Sequence, residues 1–290
     1  MKYKVKGDRT MTQQTNWNRV YDDTIKWIRE AGKEIMSSFT TSFNIESKSN
    51  PNDLVTDIDK QTEKFFIEKI KSTYPNHRIM GEEGFGDKIE NLDGVIWFLD
   101  PIDGTMNFVH QQTNFAISIG IYEDGVGKLA FIYDVTKDEL YHCKKGSGLY
   151  LNDKQVKPLK STNLSESLLA INATWVTENH RIDPRTFSPL LKKIRGTRSY
   201  GSAAIEMAFV AAGRLDGYVS LRLAPWDFAA GKMLIEEAGG VCTTVDNKEI
   251  DLLDKNTIFV GTQQFHSQVQ KEYIQPALDQ NFYLRTPSTK

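Results

Sequence analysis

Residues 95–105 read Val-Ile-Trp-Phe-Leu-Asp-Pro-Ile-Asp-Gly-Thr, an apolar run that ends abruptly in two acids. The apolar part predicts a short buried strand with Asp100 at its carboxyl end, where side chains point into a core or a cleft. Because an unpaired carboxylate in a core is costly, we expect positive charge beside Asp100. Pro101 restricts the backbone, so a tight turn can aim Asp100, Asp103 and the Ile102 carbonyl at one point. Two carboxylates and a carbonyl suit a hard divalent cation.

The ligand types favour magnesium over zinc. Mg²⁺ prefers octahedral oxygen coordination, keeps several waters and accepts one or two carboxylates together with phosphate oxygens of a substrate. The five histidines are scattered, and none has the paired helical spacing of a zinc site. Gly104 and Thr105 can begin a helical turn whose free N–H groups bind a phosphate oxygen, because Gly104 permits close backbone approach. The stretch therefore predicts a magnesium site beside an anion site.

Acids in three other segments also stand beside structural breaks: Asp57-Ile58-Asp59, Gly81-Glu82-Glu83-Gly84 and Pro225-Trp226-Asp227. Each acidic segment has a plain structural interpretation. Asp-Gly pairs make turns, Asp57, Asp59 and Asp227 can cap helices, and Glu82-Glu83 can lie in a solvated loop. Their joint occurrence with residues 100–105 favours one shared catalytic site over four unrelated turns.

Length, charge and cysteine usage limit the class of protein. With 290 residues, 39% of them hydrophobic, the chain can bury a substantial core. A formal net charge of −2 gives no global field that would recruit nucleic acid or an anionic membrane. No segment approaches the ~20 apolar residues of a membrane helix, and two cysteines suggest no disulfide framework. We expect a soluble, unexported, cytoplasmic protein that binds neither nucleic acid nor membrane.

Hydrophobic periodicity divides the chain into alternating helices and strands. Residues 1–14 are polar and unpatterned and predict a flexible extension. The pattern then predicts helices over 17–39, from Asp57 or Asp59 to about 73, 184–194 and 228–238, and strands over 95–99, 115–122, 129–135, 139–143 and 168–173. We therefore predict a layered α/β protein with an N-terminal α+β half, residues 15–150, that holds the metal site. A C-terminal α/β half, residues 151–290, completes the same cleft.

The chain closely resembles the inositol monophosphatases, within a wider group that includes fructose-bisphosphatases and phosphoadenosine phosphatases. The resemblance spans residues 17–263 and is strongest at residues 48–59, 81–84, 97–110, 201–204, 225–227 and 237–240. It implies a five-layer αβαβα sandwich, usually a homodimer, which acts on small phosphorylated metabolites. It also implies two or three magnesium ions per subunit and inhibition by lithium.

The resemblance assigns roles to individual residues. It implies that Glu82, Asp100 and the Ile102 carbonyl bind one metal, that Asp100, Asp103 and Asp227 bind a second, and that a weaker third lies near Glu82. Asp59, Thr105 and Glu82 then form the catalytic set, in which Thr105 and Asp59 orient and deprotonate the attacking water. The implied contacts to phosphate and substrate are Ile102, Asp103, Gly104, Thr105, Gly201, Ser202, Ala203, Arg222 and Asp227.

One position departs from the inositol-cleaving pattern. Seven residues before Asp227, where those members carry a glutamate that contacts an inositol hydroxyl, this chain has Ser220. A serine leaves space and removes a charge, and the nearby Arg222 is either a solvated surface residue or a partner for a second phosphate. The substrate prediction therefore covers inositol monophosphate, the 2′-phosphate of NADP and nucleotide or sugar bisphosphates. A non-catalytic regulatory or RNA-associated protein of the same fold is the alternative of a different class.

Overall fold

The computed structural model describes residues 15–40, 44–47 and 54–285. The predicted flexible extension over residues 1–14, and residues 48–53 of the family resemblance, lie outside these ranges. The α-helices within them are α1 (Trp17–Ser38), α2 (Asp57–Thr73), α3 (Thr105–Gln111), α4 (Ser188–Leu191), α5 (Ala203–Ala211), α6 (Pro225–Glu237), α7 (Gln263–Val269) and α8 (Gln275–Asp279). In this part of the chain, no helix combines the length and apolarity needed to cross a bilayer.

The strands form a hairpin and two larger sheets. The hairpin pairs β1 (Ile45–Ser47) with β2 (Leu54–Thr56). The first sheet has seven strands in chain order, with β3 parallel to β4 and the remainder an antiparallel meander. Its strands are β3 (Arg78–Gly81), β4 (Val95–Asp103), β5 (Ala116–Glu123), β6 (Val126–Asp134), β7 (Glu139–Lys144), β8 (Leu149–Leu151) and β9 (Lys154–Gln155).

The second sheet has five strands in the order β11-β10-β12-β14-β13. Strand β10 runs parallel to both of its neighbours, whereas β14 is antiparallel to β12 and β13. Its strands are β10 (Leu168–Ile171), β11 (Gly196–Arg198), β12 (Gly217–Leu223), β13 (Val241–Thr243) and β14 (Asn256–Gly261). The second sheet thus mixes parallel and antiparallel pairs.

Three hydrophobic cores hold the sheets and helices in five layers. One core joins α1 and α2 to the outer face of the first sheet. A second core fills the middle layer, where α5 and α6 lie between the two sheets. A third joins the outer face of the second sheet to α4, α7 and nearby turns. The predicted αβαβα sandwich is confirmed.

Strand β4 crosses the centre of this arrangement and is buried along all nine residues. Trp97 belongs to the core beneath α1 and α2, and Phe98 belongs to the core around α5 and α6. Burial on both faces explains why the run is continuously apolar rather than alternating. Its predicted strand is therefore confirmed, and the structure extends it to Asp103.

Helix α6 lies unusually close to strand β5. Tyr122 donates its hydroxyl hydrogen bond to the Ala229 carbonyl over 2.8 Å. A Cβ atom at Gly120 would lie 2.9 Å from the backbone nitrogen of Ala230, which has no flexible end to move aside. The close approach therefore requires glycine at position 120.

Most predicted elements are confirmed with shifted ends, but the helix over 184–194 is wrong. The chain instead forms a 3₁₀ turn at Pro184–Thr186 and the four-residue helix α4. Pro189 has no N–H group and clashes with the carbonyl four residues earlier, so it cannot lie inside a continuous helix. The division at residue 150 stays a prediction; β8 and β9 continue the first sheet to Gln155.

Candidate active site

The carboxyl end of β4 delivers two of the predicted acids to the middle layer. Asp100 follows Phe98 by two residues, so the alternation of side chains places it on the face that α5 and α6 cover. Pairing with β5 is irregular between Asp100 and Asp103, which bends the strand end. The Ile102 N–H donates to Asp100 Oδ1 over 3.0 Å and fixes this carboxylate. The predicted tight turn at Pro101 is therefore a bulged strand end.

Asp227 reaches the same point from the first turn of α6. It occupies the third helical position, and its Oδ2 accepts a hydrogen bond from the Ala224 N–H over 2.8 Å. The interpretation of Asp227 as an N-cap is wrong, because the helix begins at Pro225, two residues before it. Proline suits this first helical position, because an N–H group there would have no acceptor within the helix.

Carboxylate oxygens of Asp100, Asp103 and Asp227 lie within 4.8 Å of one another. Opposite ligands of an octahedral Mg²⁺ ion lie about 4.1 Å apart, at about 2.0 to 2.1 Å from the ion each. Oxygen donors alone, without histidine or thiolate, are the ligands that Mg²⁺ prefers. The three aspartates therefore fit a magnesium ion in their chemistry, and they lie close enough together to share a site for one.

Crowding of these carboxylates in a buried site opposes their ionisation. Burial, followed by repulsion from Glu82 and Asp103, raises the pKa of Asp100 well above its ordinary value. Burial and the charge of Asp103 likewise raise the pKa of Asp227. Burial also raises the pKa of Asp103 to about 6, although hydrogen bonds from Ser202 and Ala204 oppose the shift. A bound cation is what would let several such acids ionise together at neutral pH.

Ser202 holds one of these acids from the start of α5. Its hydroxyl donates to Asp103 Oδ2 and accepts the Ile205 N–H over 3.2 Å as the cap of the helix. The Ala204 N–H donates to the same Asp103 oxygen over 2.7 Å. Ser202 therefore orients an acid, in addition to the substrate contact that the resemblance implies. A serine directly before a run of small helix formers is a cap signal that points to this arrangement in the sequence.

Thr105 and Asp59, to which the resemblance assigns the attacking water, are joined by a hydrogen bond. Thr105 Oγ1 lies 3.1 Å from Asp59 Oδ1 and 3.1 Å from the Ile102 carbonyl oxygen. The other carboxylate oxygen, Asp59 Oδ2, accepts the Thr56 N–H over 2.9 Å and the Thr56 hydroxyl. Asp59 thus completes a capping box at the start of α2 while its free edge faces Thr105.

Burial also brings the pKa of Asp59 close to the pH range in which a carboxylate is useful as a base. Its side chain is fully buried, and burial raises its pKa to about 6 despite the two hydrogen bonds from Thr56. The charge of Glu82 adds to the increase. The structural interpretation as a helix-capping residue and the catalytic interpretation are therefore compatible for Asp59.

Glu82 lies in the loop after β3 and reaches the cluster through Asp100. Its N–H donates to the Leu99 carbonyl over 3.2 Å, and its carboxyl group hydrogen bonds with Asp100. The loop is held from beneath by Glu63, whose carboxylate accepts the N–H groups of Glu83 at 2.7 Å and Phe85 at 2.9 Å. Glu63 is fully buried in α2. Sequence reasoning missed it, because a glutamate inside a helix carries no signal of a partner in a distant loop.

Gly104 lies between the acids and the start of α5 with a left-handed backbone, at φ 95°. A Cβ atom there would lie 3.2 Å from Ser202 Cβ and 3.3 Å from the Gly201 carbonyl oxygen. Helix α3 begins immediately afterwards at Thr105, which confirms the predicted helical turn. Position 104 therefore needs glycine for both its conformation and its close neighbours.

A cleft of about 510 Å³ has Asp103 and Asp227 in its lining. Six of the nine residues that the resemblance assigns to phosphate and substrate line this cleft: Asp103, Gly201, Ser202, Ala203, Arg222 and Asp227. The other three, Ile102, Gly104 and Thr105, do not belong to its lining. Ser220 and Arg222, two residues apart in β12, both line the cleft, at a point where pairing with β14 is irregular. Arg181, which the sequence analysis did not single out, lines it as well.

Glu206 is a second buried acid that sequence reasoning missed. Its carboxylate accepts the N–H groups of Tyr200 at 2.5 Å and Gly201 at 3.4 Å, and the residue lines the cleft. Burial raises its pKa to about 7. Asn107 supports the same turn by donating to the Tyr200 carbonyl over 2.6 Å. Helix α5 therefore holds the turn that presents Gly201 to the cleft.

The chain is similar to known proteins along most of its length. A model of the inositol monophosphatase family matches residues 16–279. The inositol-1-monophosphatase of Bacillus subtilis is 58% identical, over 90% of this chain and 98% of its own length. Inositol monophosphatase II of Staphylococcus aureus, solved with inositol monophosphate bound, has a TM-score of 0.81 at 39% identity, with 91% of this chain and 96% of that chain covered.

A more distant structure has the same fold. An IMPase/NADP phosphatase solved with Mg²⁺ and phosphate has a TM-score of 0.82 at 25% identity, with 89% of this chain and 95% of that chain covered. Together with the family match over most of the chain, these similarities establish the relationship. The chain belongs to the inositol monophosphatase family.

Proposed function

We propose that this protein is a phosphoric monoester hydrolase that uses Mg²⁺ to cleave a small phosphorylated metabolite, with inositol monophosphate as the principal substrate. The observation that carries the proposal is the convergence of Asp100, Asp103 and Asp227 within 4.8 Å at the edge of a cleft. The relatives named above, which are inositol monophosphatases by description, support the choice of substrate.

The acids that would hold magnesium come from three segments of the chain. Asp100, Asp103, Asp227 and Glu82, with the Ile102 carbonyl, supply ligands for two or three ions per subunit. When bound, Mg²⁺ supplies positive charge that favours ionisation of water and offsets negative charge on the phosphate and the leaving alcohol oxygen. No covalent intermediate with the protein is needed.

Thr105 and Asp59 orient and deprotonate the attacking water. A threonine hydroxyl is too weak a base by itself, but it can pass a proton to a carboxylate that it contacts. The Thr105 hydroxyl has one proton, so it donates either to Asp59 or to Ile102 and keeps lone pairs for a water hydrogen bond. The raised pKa of Asp59, about 6, makes its carboxylate a better proton acceptor near neutral pH than an ordinary aspartate.

The substrate is held between the starts of two helices. Gly104 and Thr105 at the start of α3 contact the phosphate, because unpaired N–H groups at a helix start attract anions. Gly201, Ser202 and Ala203, at the start of α5, contact the alcohol part of the substrate, and all three line the cleft. Binding at two helix starts fixes the phosphorus relative to the water beside Thr105.

An assay of phosphate release tests the proposal directly. Purified protein is incubated with inositol 1-phosphate in the presence of Mg²⁺, of EDTA, or of Mg²⁺ with added lithium. We expect phosphate release that requires Mg²⁺, disappears with EDTA and is inhibited by lithium. Absence of Mg²⁺-dependent release from inositol 1-phosphate, adenosine 2′-monophosphate and NADP would overturn the proposed activity.

NADP, cleaved at its 2′-phosphate, is a second candidate substrate. A dinucleotide needs more space than an inositol ring does, and the short side chain of Ser220 leaves such space. Ser220 lines the cleft at the position where inositol-cleaving members carry a glutamate, and Arg222 lines it two residues later. Relative kcat/KM values for NADP and inositol 1-phosphate decide between the two substrates. A homodimer and a cytoplasmic location stay predictions that follow from the resemblance and the composition.

A regulatory or RNA-associated role without catalysis is less well supported. The formal net charge is −2, and all acids that the resemblance assigns to metal binding are present. A protein that binds RNA through its surface usually carries a basic face. Tight binding to RNA together with no phosphatase activity on any of the substrates above would favour that role.

A further inference from the structure

Two arginines line the cleft that contains the candidate metal ligands. Arg181 comes from the loop after the 3₁₀ turn Ala173–Val176, and Arg222 comes from strand β12. Both belong to the same cleft lining as Asp103 and Asp227. Arg222 is exposed and Arg181 is partly exposed, so both guanidinium groups are accessible to a ligand.

Neither arginine has an acidic partner among the residues that the structure describes. None of the ion pairs in that part of the chain includes Arg181 or Arg222. The two positive charges also act on each other, since burial and then the charge of Arg222 lower the pKa of Arg181. Two guanidinium groups that line one cleft, neither of them in an ion pair with the acids described there, favour an anionic ligand that contacts both.

The backbone that carries Arg181 is fixed from both sides. The Arg181 N–H donates to Asn179 Oδ1 over 2.8 Å, and the Arg181 carbonyl accepts the Arg285 N–H over 2.7 Å. The next residue, Ile182, is buried and forms a β-bridge with Leu284. Because the loop is already ordered, less entropy is lost when the arginine binds a ligand.

We propose that Arg181 and Arg222 form a second anion subsite, which binds a phosphate group of the substrate other than the one that is cleaved. The subsite rests on the proposed function, because the phosphate to be cleaved must lie at Asp100, Asp103 and Asp227. Guanidinium groups match the paired oxygens of a phosphate, and the uncharged Ser220 in the same cleft lining repels neither phosphate. The substrates that would use this subsite are monoesters that carry a second phosphate, beside the inositol monophosphate of the proposed function.

A matched pair of substrates isolates the second phosphate. Adenosine 2′,5′-bisphosphate and adenosine 2′-monophosphate share the 2′-phosphate that is cleaved and differ only in the 5′-phosphate. The ratio of their kcat/KM values is measured for the natural protein, Arg181→Gln, Arg222→Gln and the double variant. Arg195→Gln is the matched control, because Arg195 is exposed, pairs with Glu166 and does not line the cleft.

We expect the natural protein and the Arg195→Gln control to prefer the bisphosphate by about tenfold, the effect of a charged hydrogen bond. The ratio should fall in each single variant and approach one in the double variant, mainly through KM. An unchanged ratio in the double variant would refute the subsite, as would a natural ratio near one.

Binding measurements separate this outcome from failure of the proposed activity. Calorimetric titration of the same two nucleotides gives a ratio of Kd values that does not depend on turnover. If neither nucleotide is hydrolysed but the double variant loses the preference in binding, the subsite stands and the proposed activity fails. If both nucleotides are hydrolysed with equal Kd values in all variants, the activity stands and the subsite fails.

Discussion

The candidate metal and water site (Asp59, Asp100, Asp103, Thr105 and Asp227), of which Asp103 and Asp227 line the cleft, is called the floor. It differs from the rim of the cleft (Arg181 and Arg222) in nearly every physical respect. Floor residues are mostly buried, and hydrogen bonds from Thr56, Ser202 and Ala224 fix their carboxylates. Rim side chains are more exposed and have no ion-pair partner in the described part of the chain. The floor belongs to strand and helix ends, whereas one rim residue comes from a loop.

The difference separates the chemistry of this protein from its choice of substrate. A fixed floor preserves distances between reacting groups, on which rates depend steeply. A solvent-exposed rim can change residue identity with little effect on packing, because it contributes little to the core. We therefore expect floor substitutions to change turnover and rim substitutions to change preference among substrates.

The largest expected effect comes from removing a charge from the floor. Asp103→Asn or Asp227→Asn should lower kcat by about 10³-fold or more, because an amide cannot supply the charge that a divalent cation needs. Release of phosphate from inositol 1-phosphate at saturating Mg²⁺ measures the loss, and circular dichroism checks the fold. Asp279→Asn, a matched change on the exposed surface of α8, should keep full activity. Near-full Mg²⁺-dependent activity in both floor variants would remove the metal assignment.

A smaller effect on kcat is expected from removing the Thr105 hydroxyl group, which is proposed to orient the attacking water. Thr105→Ala should lower kcat by about 10²-fold, typical of losing one proton-transfer group, with little change in KM. Thr105→Ser keeps the hydroxyl group and should retain most of the activity. Single-turnover rates for the two variants make the comparison, and equal losses in both would show that the hydroxyl group has no part in the chemistry.

The smallest expected effect is on the stability of the metal-free protein. This stability should depend on pH because the buried acids of the floor titrate. Because burial raises the pKa of Asp59 and Asp103 to about 6, these acids favour the fold while protonated, and this contribution is lost as pH rises through that value. The loss begins near the ordinary aspartate pKa of about 4 and is complete above about 6, so only about one unit of each shift, roughly 1 kcal/mol, falls between pH 5 and pH 8. We expect the metal-free protein to have a lower melting temperature at pH 8 than at pH 5.

Magnesium should reverse this loss, since a cation competes with protons for the same oxygens. A concentration of 100 times Kd adds about 2.7 kcal/mol to the free energy of unfolding. The increase in melting temperature on adding Mg²⁺ should therefore be larger at pH 8 than at pH 5, measured by differential scanning calorimetry. An equal increase at both pH values, or one that persists in Asp103→Asn, would place the binding of Mg²⁺ elsewhere.

Local patterns predicted most helices and strands and the acids at the end of β4, whereas the five-layer sandwich was predicted from the family resemblance. The buried run of β4 identifies a central strand, and the acids that end it identify the site. Their convergence with Asp227, more than a hundred residues later, came from the family resemblance and not from spacing. Long-range placement depends on how the layers pack, which one local pattern does not determine.

Other features could not be predicted for physical reasons. The proline that divides residues 184–194 was present in the sequence, but apolar periodicity outweighed it in the prediction. Glu63 and Glu206 work through backbone N–H groups, which every residue offers, so their partners leave no trace in residue identity. Arg181 has no sequence signal of its own, because only the packing of its loop places it in the same cleft lining as Arg222.

The contact between α6 and strand β5 also has a consequence for ion choice. Gly120 lets the helix that carries Asp227 lie against the strand that pairs with β4, where Asp100 is opposite Ser118. We therefore expect the distance between α6 and β5 to influence the distance between Asp227 and Asp100. Because Ca²⁺ holds its oxygens about 0.4 Å farther away than Mg²⁺ does, a methyl group at position 120 would shift the gap towards the larger ion. We therefore expect Gly120, which supplies no ligand atom, to influence which of the two ions the site prefers.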